Sequence, residues 1–288
     1  MDVKAQSGAA SRVSPDQGSK SRERTNKETP DAKRGSFTWF LVKLLVVVLV
    51  FRIAVFSPFS IPSESMLPRL VNGDYLLAAK WPYGLSVHSL PLPLNLPEGR
   101  VLAREPQRGD IVLFKHPVDG RDYIKRLIAL PGDEIALRNG RVVLNGELLA
   151  REQISDFVLP LSSNTDCAWG GTQIAGPDGA PACRYDRFRE TLPDGRSYDV
   201  LDFGPTPADG FATVFVPEGH MFVLGDNRDN SRDSRFEARA GDAVGIVSQD
   251  LLVGRAAIIM WSSDGSAEWL KPWTWLTAAR WDRIGRLL

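Results

Sequence analysis

The stretch "DYIKRLIALPGDEIALRNGRVVLNG", residues 122–146, mixes β-branched and aliphatic residues with Gly, Pro and Asn at short intervals. Short apolar runs bounded by such residues are typical of strands joined by turns. Asn139-Gly140 can supply the positive φ angles that a tight hairpin turn requires. The stretch therefore predicts short strands, with a hairpin at 139–140.

The same pattern continues through most of the chain after residue 57. It recurs in "GDYLLAAK" (73–80), "GDIVLFKHP" (109–117), "ATVFVPEGHMFVLGD" (212–226) and "AVGIVSQDLLVGRAAIIMW" (243–261). Residues 150–211 are richer in Pro, Gly and Asp and less periodic, which indicates an insertion that elaborates a core sheet. The Pro-rich segment 88–100 predicts an extended surface loop. The predicted fold class is mostly β.

Composition narrows the class of protein. The 288 residues include 35 basic and 35 acidic side chains, and the length suffices for one or two domains. This balance argues against nucleic acid as a partner, because phosphate binding needs a concentrated basic face. Residues 1–36 hold few large apolar side chains, so they predict a disordered tail.

An apolar run of twenty residues, Phe37 to Phe56, follows this tail. At about 1.5 Å per residue a helix of that length reaches about 30 Å, the thickness of a bilayer core. Lys43 and Arg52 are near enough to its ends for their stems to reach the headgroups. We therefore expect a transmembrane helix over 37–56; a buried soluble helix and a cleavable secretory signal are the alternatives.

The residues that flank the run predict its orientation. Several Lys and Arg residues precede it, whereas none follows in "SPFSIPSES". The positive-inside rule then places residues 1–36 in the cytoplasm and exports the chain after residue 57.

Two features of the exported part allow alternatives. Cys167 and Cys183 could form a disulfide in an oxidising compartment, or remain free buried thiols. The C-terminal segment 261–288 carries five of the eight tryptophans among Lys and Arg residues. That composition suits a membrane interface and also a helix that caps the sheet, and the two interpretations are compatible.

Ser65 stands in "IPSESMLPRL", residues 61–70, between two prolines that restrict the backbone. A serine is a weak nucleophile and needs a base. The possible histidine bases in the exported part are His88, His116 and His220. None has an evident Asp partner, although a triad is a spatial arrangement and therefore stays possible.

Lysine is another possible base if its pKa falls. Strand alternation places Lys125 on one face with Tyr123, Leu127 and Ala129, while Arg126 points the other way. An ammonium on an apolar sheet face is costly, which makes Lys125 a candidate base. A strand-edge lysine with its amine in water is the alternative.

The segment "GDNRDNSRDSR", residues 225–235, predicts a compact loop bonded to its own backbone. Asp233 and Arg235 could pair within it, and Ser231 could orient a neighbouring amine. Its three arginines and the absence of EF-hand spacing argue against calcium, so no metal is expected.

Five of these segments, in order after the apolar run, closely resemble the bacterial type I signal peptidases: "PSESMLP", "GDYLLAAK", "RGDIVLFKHP", "YIKRLIALPGD" and "GDNRDNSRDSR". The resemblance implies a serine–lysine dyad protease without a cofactor. It also implies a signal-peptidase-like β-fold whose catalytic core spans 57–133 and 216–288. Residues 134–215 would form an inserted second β-domain, and one transmembrane helix would precede the core.

The resemblance assigns roles to individual residues. It implies Ser65 as the nucleophile, Lys125 as the general base, and the Ser63 hydroxyl with the Ser65 N–H as oxyanion donors. Supporting roles would fall to Ser231, Asp233 and Arg235, and shallow substrate pockets to Phe59, Ile61, Tyr123 and Ile124. Glu64 stands where the family often has a small residue, and we expect its side chain to face solvent.

The implied activity is removal of N-terminal signal peptides from exported preproteins. The site would lie on the extracytoplasmic side of the bacterial inner membrane, with signal peptides and the phospholipid bilayer as partners. An inactive membrane-anchored binding module of the same fold is the alternative. Another serine–lysine protease, such as a self-cleaving repressor, fits less well because the chain has an apolar run and no DNA-binding region.

Overall fold

The computed structural model describes residues 31–86, 99–176, 179–268 and 270–288. Its helices and strands in chain order are α1 (Asp31–Ala54), β1 (Phe56–Ser60), β2 (Asp74–Ala79), β3 (Leu85–Ser86), β4 (Arg100–Val101), β5 (Ile111–Lys115), β6 (Asp122–Ala129), β7 (Glu134–Arg138), β8 (Arg141–Leu144), β9 (Glu147–Leu148), β10 (Ala150–Pro160), β11 (Thr172–Ala175), β12 (Pro181–Thr191), β13 (Ser197–Leu201), β14 (Phe211–Phe215), β15 (His220–Leu224), β16 (Val247–Ser248), β17 (Leu252–Ser262) and α2 (Trp273–Thr277). The mostly-β prediction is confirmed.

The largest sheet has seven strands in the order β1-β2-β17-β5-β6-β15-β16, and every neighbouring pair is antiparallel. The sequence of strand β5 is a continuous apolar run rather than an alternating one, and the packing of its side chains explains why. Ile111 and Leu113 pack into one apolar cluster, while Val112 and Phe114 pack into another. Because neighbouring residues of a strand point to opposite faces, both faces of the sheet are buried at this point.

Strand β6 follows the predicted alternation over most of its length. Tyr123 and Leu127 pack into the same cluster as Phe114. Ala129 is the exception, because it packs with Ile128 in a different cluster. The register between β6 and β15 shifts at this end of the strand, which interrupts the simple alternation there.

Two smaller sheets contain the strands of residues 134–215. One has the order β14-β7-β8-β9, and in the other β12 pairs with β10, β11 and β13. A shared apolar cluster joins Ile128 and Phe222 of the large sheet to Ile135 and Val142. Residues 46–288 form one compact unit. The division into a core and an inserted domain therefore stays a prediction.

The predicted hairpin at Asn139-Gly140 is confirmed. It joins β7 to β8, and the φ angles of the two residues are 51° and 73°. Asn145-Gly146 repeats this turn between β8 and β9, with φ angles of 53° and 81°. Positive φ at both central residues is the condition that favours Asn-Gly in two-residue hairpins.

The N-terminal helix differs in its bounds from the predicted span of 37–56. It begins at Asp31 and ends at Ala54, and Phe56 instead pairs with Ala79 as the first residue of β1. The predicted tail 1–36 thus loses its last six residues to the helix, in agreement with the strong helix propensity of Ala, Lys and Arg in "DAKRG". Residues 1–30 lie outside the described residues.

Within the described ranges, no helix combines the length and the apolar character needed to cross a membrane.

The C-terminal segment does not form the helix that was one of its two predicted states. Helix α2 has only five residues and buries none of them, and Trp273 is 65% exposed. Most of the Pro-rich loop 88–100 lies outside the described residues; its last residue, Arg100, belongs to β4.

Candidate active site

The structure brings Ser65 and Lys125 together although sixty positions separate them. The Lys125 Nζ donates to the Ser65 Oγ at 2.7 Å, and both side chains are buried. Lys125 lies on β6 opposite Val112 of β5, so its position is set by a central strand of the large sheet. Ser65 lies in a turn after β1. The alternative of a solvated strand-edge lysine is wrong.

Burial lowers the pKa of Lys125 to about 8. Asp233 and Asp226 oppose this shift because they favour the ammonium, whereas Arg235 adds to it. A lysine with a pKa near 8 has a substantial neutral fraction in mildly alkaline water. Its amine can then accept the proton of a serine hydroxyl.

The groups proposed as oxyanion donors border Ser65. The Ser63 Oγ lies 3.5 Å from the Ser65 Oγ, and the Ser63 residue is exposed. The backbone N–H of Ser65 donates to no acceptor among the described residues. The Ser65 N–H is therefore not committed to another acceptor within the described residues, as an oxyanion donor requires.

The loop 225–235 holds the Ser65 segment through Asn227, a residue without a role in the sequence analysis. Its backbone N–H donates to the Ser65 carbonyl at 3.1 Å, and its Nδ2 donates to the Glu64 carbonyl at 3.2 Å. Asn227 belongs to the recognised motif, but only the structure shows which carbonyls it contacts. These bonds fix the two peptide units that flank the Ser65 Cα, one of which contains the Ser65 N–H.

Gly225 is a second residue that the sequence analysis missed. A Cβ atom there would lie 2.3 Å from the Ser231 Oγ and 2.6 Å from the Ser65 carbonyl oxygen. Only glycine lets the loop approach Ser65 this closely. The Ser231 Oγ itself is buried and makes no hydrogen bond of normal geometry within the described chain, although it lies close enough to Asp233 to help lower the pKa of that carboxyl.

Asp233 and Arg235 form the predicted pair. The Arg235 Nε and Nη2 donate to the two carboxylate oxygens at 2.8 and 2.9 Å, and both side chains are buried. Asp233 also accepts from the Gly225 N–H at 3.0 Å. Arg235 and these hydrogen bonds outweigh burial and lower the pKa of Asp233, so the carboxylate stays charged beside Lys125.

Glu64 does not extend into solvent as expected. Its side chain is half-buried, and its Oε2 accepts from the Asn230 Nδ2 at 3.3 Å. Burial and the nearby Asp166 raise the pKa of this carboxyl. The loop 225–235 thus holds the side chain as well as the backbone of Glu64.

The four residues assigned to substrate pockets fall into two groups. Phe59, Ile61 and Ile124 pack in one apolar cluster. Tyr123 packs in the other, where its ring lies 4.8 Å from the ring of His116. The structure therefore brings three of these side chains together and separates the fourth, and their role in substrate binding stays a prediction.

His116 and His220, the two histidines that the structure describes, contact groups other than Ser65. The buried His116 contacts the Ala243 carbonyl through Nε2 at 3.0 Å and accepts backbone N–H bonds at Nδ1. His220 Nδ1 lies 2.9 Å from the Glu218 carbonyl. His88 lies outside the described residues. Nowhere in the described ranges do three His, Cys, Asp or Glu side chains come close enough to hold a metal ion.

Cys167 and Cys183 form a disulfide, and Cys183 is fully buried. The bridge ties the loop before β11 to the central strand β12. It packs in a cluster with Leu67, two residues after Ser65, and with Tyr185. The disulfide therefore belongs to the packing beneath the Ser65 turn.

A buried serine hydroxyl bonded to a lysine amine of lowered pKa is the arrangement expected in a hydrolase that uses a serine nucleophile. Comparison with known proteins agrees that the chain is a peptidase. The family described as "Signal peptidase, peptidase S26" matches residues 34–261. This chain therefore belongs to the peptidase S26 family of signal peptidases.

Individual relatives match nearly the whole chain. A signal peptidase I of Rickettsia prowazekii is 34% identical over 270 residues, which cover 86% of this chain and 90% of the relative. A signal peptidase I of Rickettsia typhi is 35% identical over 272 residues, covering 87% and 91%. Among solved structures, a signal peptidase I from Enterococcus faecalis V583 is 25% identical and covers 53% of this chain and 97% of its own, with a TM-score of 0.29.

Proposed function

We propose that this chain is a membrane-anchored endopeptidase that removes N-terminal signal peptides from exported preproteins, with Ser65 as nucleophile and Lys125 as general base. The observation that carries the proposal is the 2.7 Å bond between the Lys125 Nζ and the Ser65 Oγ. Family membership supports the reaction and the class of substrate.

The proposed reaction uses the two residues in both half-reactions. Neutral Lys125 takes the Ser65 proton as the Oγ attacks the scissile carbonyl, and the Ser63 hydroxyl and Ser65 N–H stabilise the resulting oxyanion. The ammonium of Lys125 then gives its proton to the leaving amine, and an acyl-enzyme remains. Water that loses its proton to Lys125 hydrolyses this ester, and the proton returns to the Ser65 oxygen.

In this proposal, Asp233 and Arg235 are the charged pair that lies close to the base Lys125. Their buried pair supplies nearly cancelling charges close to Lys125, because Asp233 raises and Arg235 lowers the pKa of the amine. The substrate would bind as an extended segment beside Ser65. Small side chains before the cut would contact the cluster of Phe59, Ile61 and Ile124.

We also propose that residues 57–133 and 216–288 form the catalytic core, with 134–215 inserted into it. The distribution of strands among the sheets supports this division. Asp226, which lies beside Lys125, accepts through its carbonyl from the Leu201 N–H at 2.9 Å. The insertion would then act as a support for the catalytic loop.

The membrane anchor is part of the same proposal. The apolar run Phe37–Phe56 and its exposed side chains, such as Phe37 and Val47, support a span with the N-terminus in the cytoplasm and the active site outside. Bacterial inner membranes washed at alkaline pH should retain the protein, whereas release into the wash would contradict the anchor.

The proposed activity is tested with a preprotein that has Ala at positions −3 and −1, incubated with the full chain in detergent. Wild type should cut after the −1 Ala. Ser65→Ala and Lys125→Met should each lose at least about a thousandfold in rate, because each removes a group that takes part in bond making. Lys115→Met is the matched control, since Lys115 lies on the adjacent strand and pairs with Asp122 at 2.8 Å.

Two outcomes would contradict parts of the proposal. If Lys125→Met cuts as well as Lys115→Met, the base is misassigned. If correctly folded wild type cuts no preprotein, the activity itself is refuted and the fold serves as a binding module.

A further inference from the structure

A cavity of about 750 Å³ lies beside strand β6, on the face opposite Lys125. Arg126 lines it, and neighbouring residues of a strand point to opposite faces. Its walls come from the large sheet, from the sheet around β12 and from the C-terminal segment 283–288. Cavities of roughly 300–1,000 Å³ are typical of small-molecule sites.

Arginine dominates the lining of this cavity, which contains eight arginines and two aspartates. Two of the arginines are buried and fully paired. Arg126 donates to both oxygens of Asp226 at 2.6 Å, and Arg283 donates to Asp74 at 3.0 and 2.6 Å. These two guanidinium groups are structural, so a ligand would depend on the others.

The remaining six arginines have fewer carboxylate partners than they have charges. Among the described residues, four different aspartates lie within 4 Å of them, so two positive charges have no carboxylate partner of their own. Asp199, for example, is shared between Arg187 at 3.4 Å and Arg189 at 2.9 Å. Such an excess inside a concave site attracts anions.

Arg69 is the clearest example of a cavity arginine without a carboxylate partner. No carboxylate of the described residues lies within 4 Å of its guanidinium, which donates to the Leu287 carbonyl. Burial lowers the pKa of Arg69, and the nearby Arg126, Arg286 and Arg283 lower it further, against the opposite effect of Asp226. An anion bound beside Arg69 would relieve this repulsion.

Arg255 offers a second unused donor. Its Nε is buried and has no partner in the described part of the chain. The Asp110 carboxylate approaches its Nη1 only to 3.9 Å and is also 3.8 Å from Arg196. The rest of the Arg255 side chain is 41% exposed, so its Nη groups, unlike the buried Nε, can donate to a ligand oxygen in the cavity.

We propose that this cavity binds a phosphate-bearing anion, with Arg69 and Arg255 among its ligands. Arginines without a carboxylate partner attract a phosphate group, and the guanidinium fork matches the geometry of phosphate oxygens. The anion could be free in solution or be the headgroup of an anionic phospholipid. The site is separate from the serine and lysine pair, because it uses the other face of β6.

Thermal unfolding of the full chain in a neutral detergent tests the proposal. The free anion is pyrophosphate, compared with sodium chloride at equal ionic strength. The lipid is dihexanoyl phosphatidylglycerol, compared with zwitterionic dihexanoyl phosphatidylcholine. The variants are Arg69→Gln, Arg255→Gln and, as matched control, Arg138→Gln, since Arg138 is exposed and does not line the cavity.

We expect pyrophosphate, phosphatidylglycerol or both to raise Tm in wild type and in Arg138→Gln. Arg69→Gln and Arg255→Gln should each weaken that binding about tenfold, the effect of losing one charge-assisted bond. A response to pyrophosphate alone would identify a free anion, and a response only to phosphatidylglycerol a lipid headgroup. No rise in wild type, or an equal rise in all variants, would overturn the proposal.

Discussion

Lys125 has a lowered pKa mainly because it is buried, not because a cation lies beside it. Burial is the largest effect, whereas Arg235 contributes the smallest and two carboxylates oppose the shift. The pKa of about 8 therefore reflects the opposing effects of burial and of the charged residues in the loop 225–235.

The pH dependence of cleavage should show this pKa directly. Only neutral Lys125 accepts a proton, so kcat/KM should rise with pH and level off above about 8. Below the pKa the rate should fall about tenfold per pH unit. The measurement is kcat/KM on the test preprotein from pH 6 to 9.5, and a flat profile below pH 8 would contradict the assignment.

The same profile can be shifted by a single substitution. Asp233 raises the pKa of Lys125, so Asp233→Asn should move the acidic limb to lower pH. The test is the direction in which the acidic limb of the kcat/KM profile moves, and this direction can be measured even if the variant is less stable.

Gly225→Ala should disable the site by displacement rather than by loss of a chemical group. The new methyl group would lie 2.4 Å from the Ser231 Cβ and 2.6 Å from the Ser65 carbonyl oxygen, neither of which can be moved by rotating a side chain. We expect kcat to fall at least about a hundredfold, as misplacement of reacting groups by about 1 Å can cause.

Gly210→Ala is the matched control for this substitution. A Cβ at Gly210 would meet nothing within 4 Å, and its φ of −101° suits any residue. Comparable kcat values for the two variants, measured in the preprotein assay, would mean that the loop 225–235 can yield without disturbing Ser65.

At the scale of whole elements, the sheet that contains β12 and β13 contacts the loop 225–235. Asp229 Oδ2 accepts from the Phe203 N–H at 2.6 Å, just beyond the end of β13. Glu190 of β12 forms a buried pair with Arg228, whose Nε also donates to the Gly225 carbonyl at 3.2 Å. Arg228 and Asp229 thus connect the loop 225–235 to the segment around β12 and β13.

Glu190→Gln should destabilise the protein strongly, because Arg228 would remain buried without its carboxylate. Breaking a buried pair in this way costs about 3–5 kcal/mol. Urea unfolding should show the loss, and kcat should fall as the Gly225 carbonyl loses a fixed partner.

Glu147→Gln provides the comparison for that measurement. Glu147 is exposed on β9 and has no ion pair within the described ranges, so its replacement should change the free energy of unfolding by less than about 0.5 kcal/mol. If both variants lose the same stability, the Glu190–Arg228 pair does not brace the loop.

Local features of these elements could be predicted from sequence, whereas contacts between distant elements could not. The Asn139-Gly140 turn depends only on its own backbone angles, and the prediction is confirmed. The predicted C-terminal bound of α1 was wrong because pairing of Phe56 with Ala79 ends the helix, and that pairing is a tertiary contact. Glu190 carried no signal at all, since its partner lies 38 positions away.

At the scale of the whole molecule, the candidate site depends on long-range pairs that periodicity alone does not reveal. Alternation placed Lys125 on a buried face, but only the resemblance pointed to Ser65 as its partner. The arginine cavity had no sequence signal, because its lining comes from segments between Pro68 and Leu288. Each of its arginines taken alone resembles an ordinary surface residue.

Lys125 and Arg126 are consecutive residues of one strand, and they face two different chemical environments. Before the register shift near Ala129, the environment that a side chain enters follows from whether its position along β6 is odd or even. Deletion of one residue of β6 before Lys125, with the start of the strand kept in register, would present a guanidinium, which cannot give up its proton near neutral pH, to the Ser65 hydroxyl. Length changes in this strand are therefore more harmful than most substitutions, since they exchange a titratable cation for a permanent one.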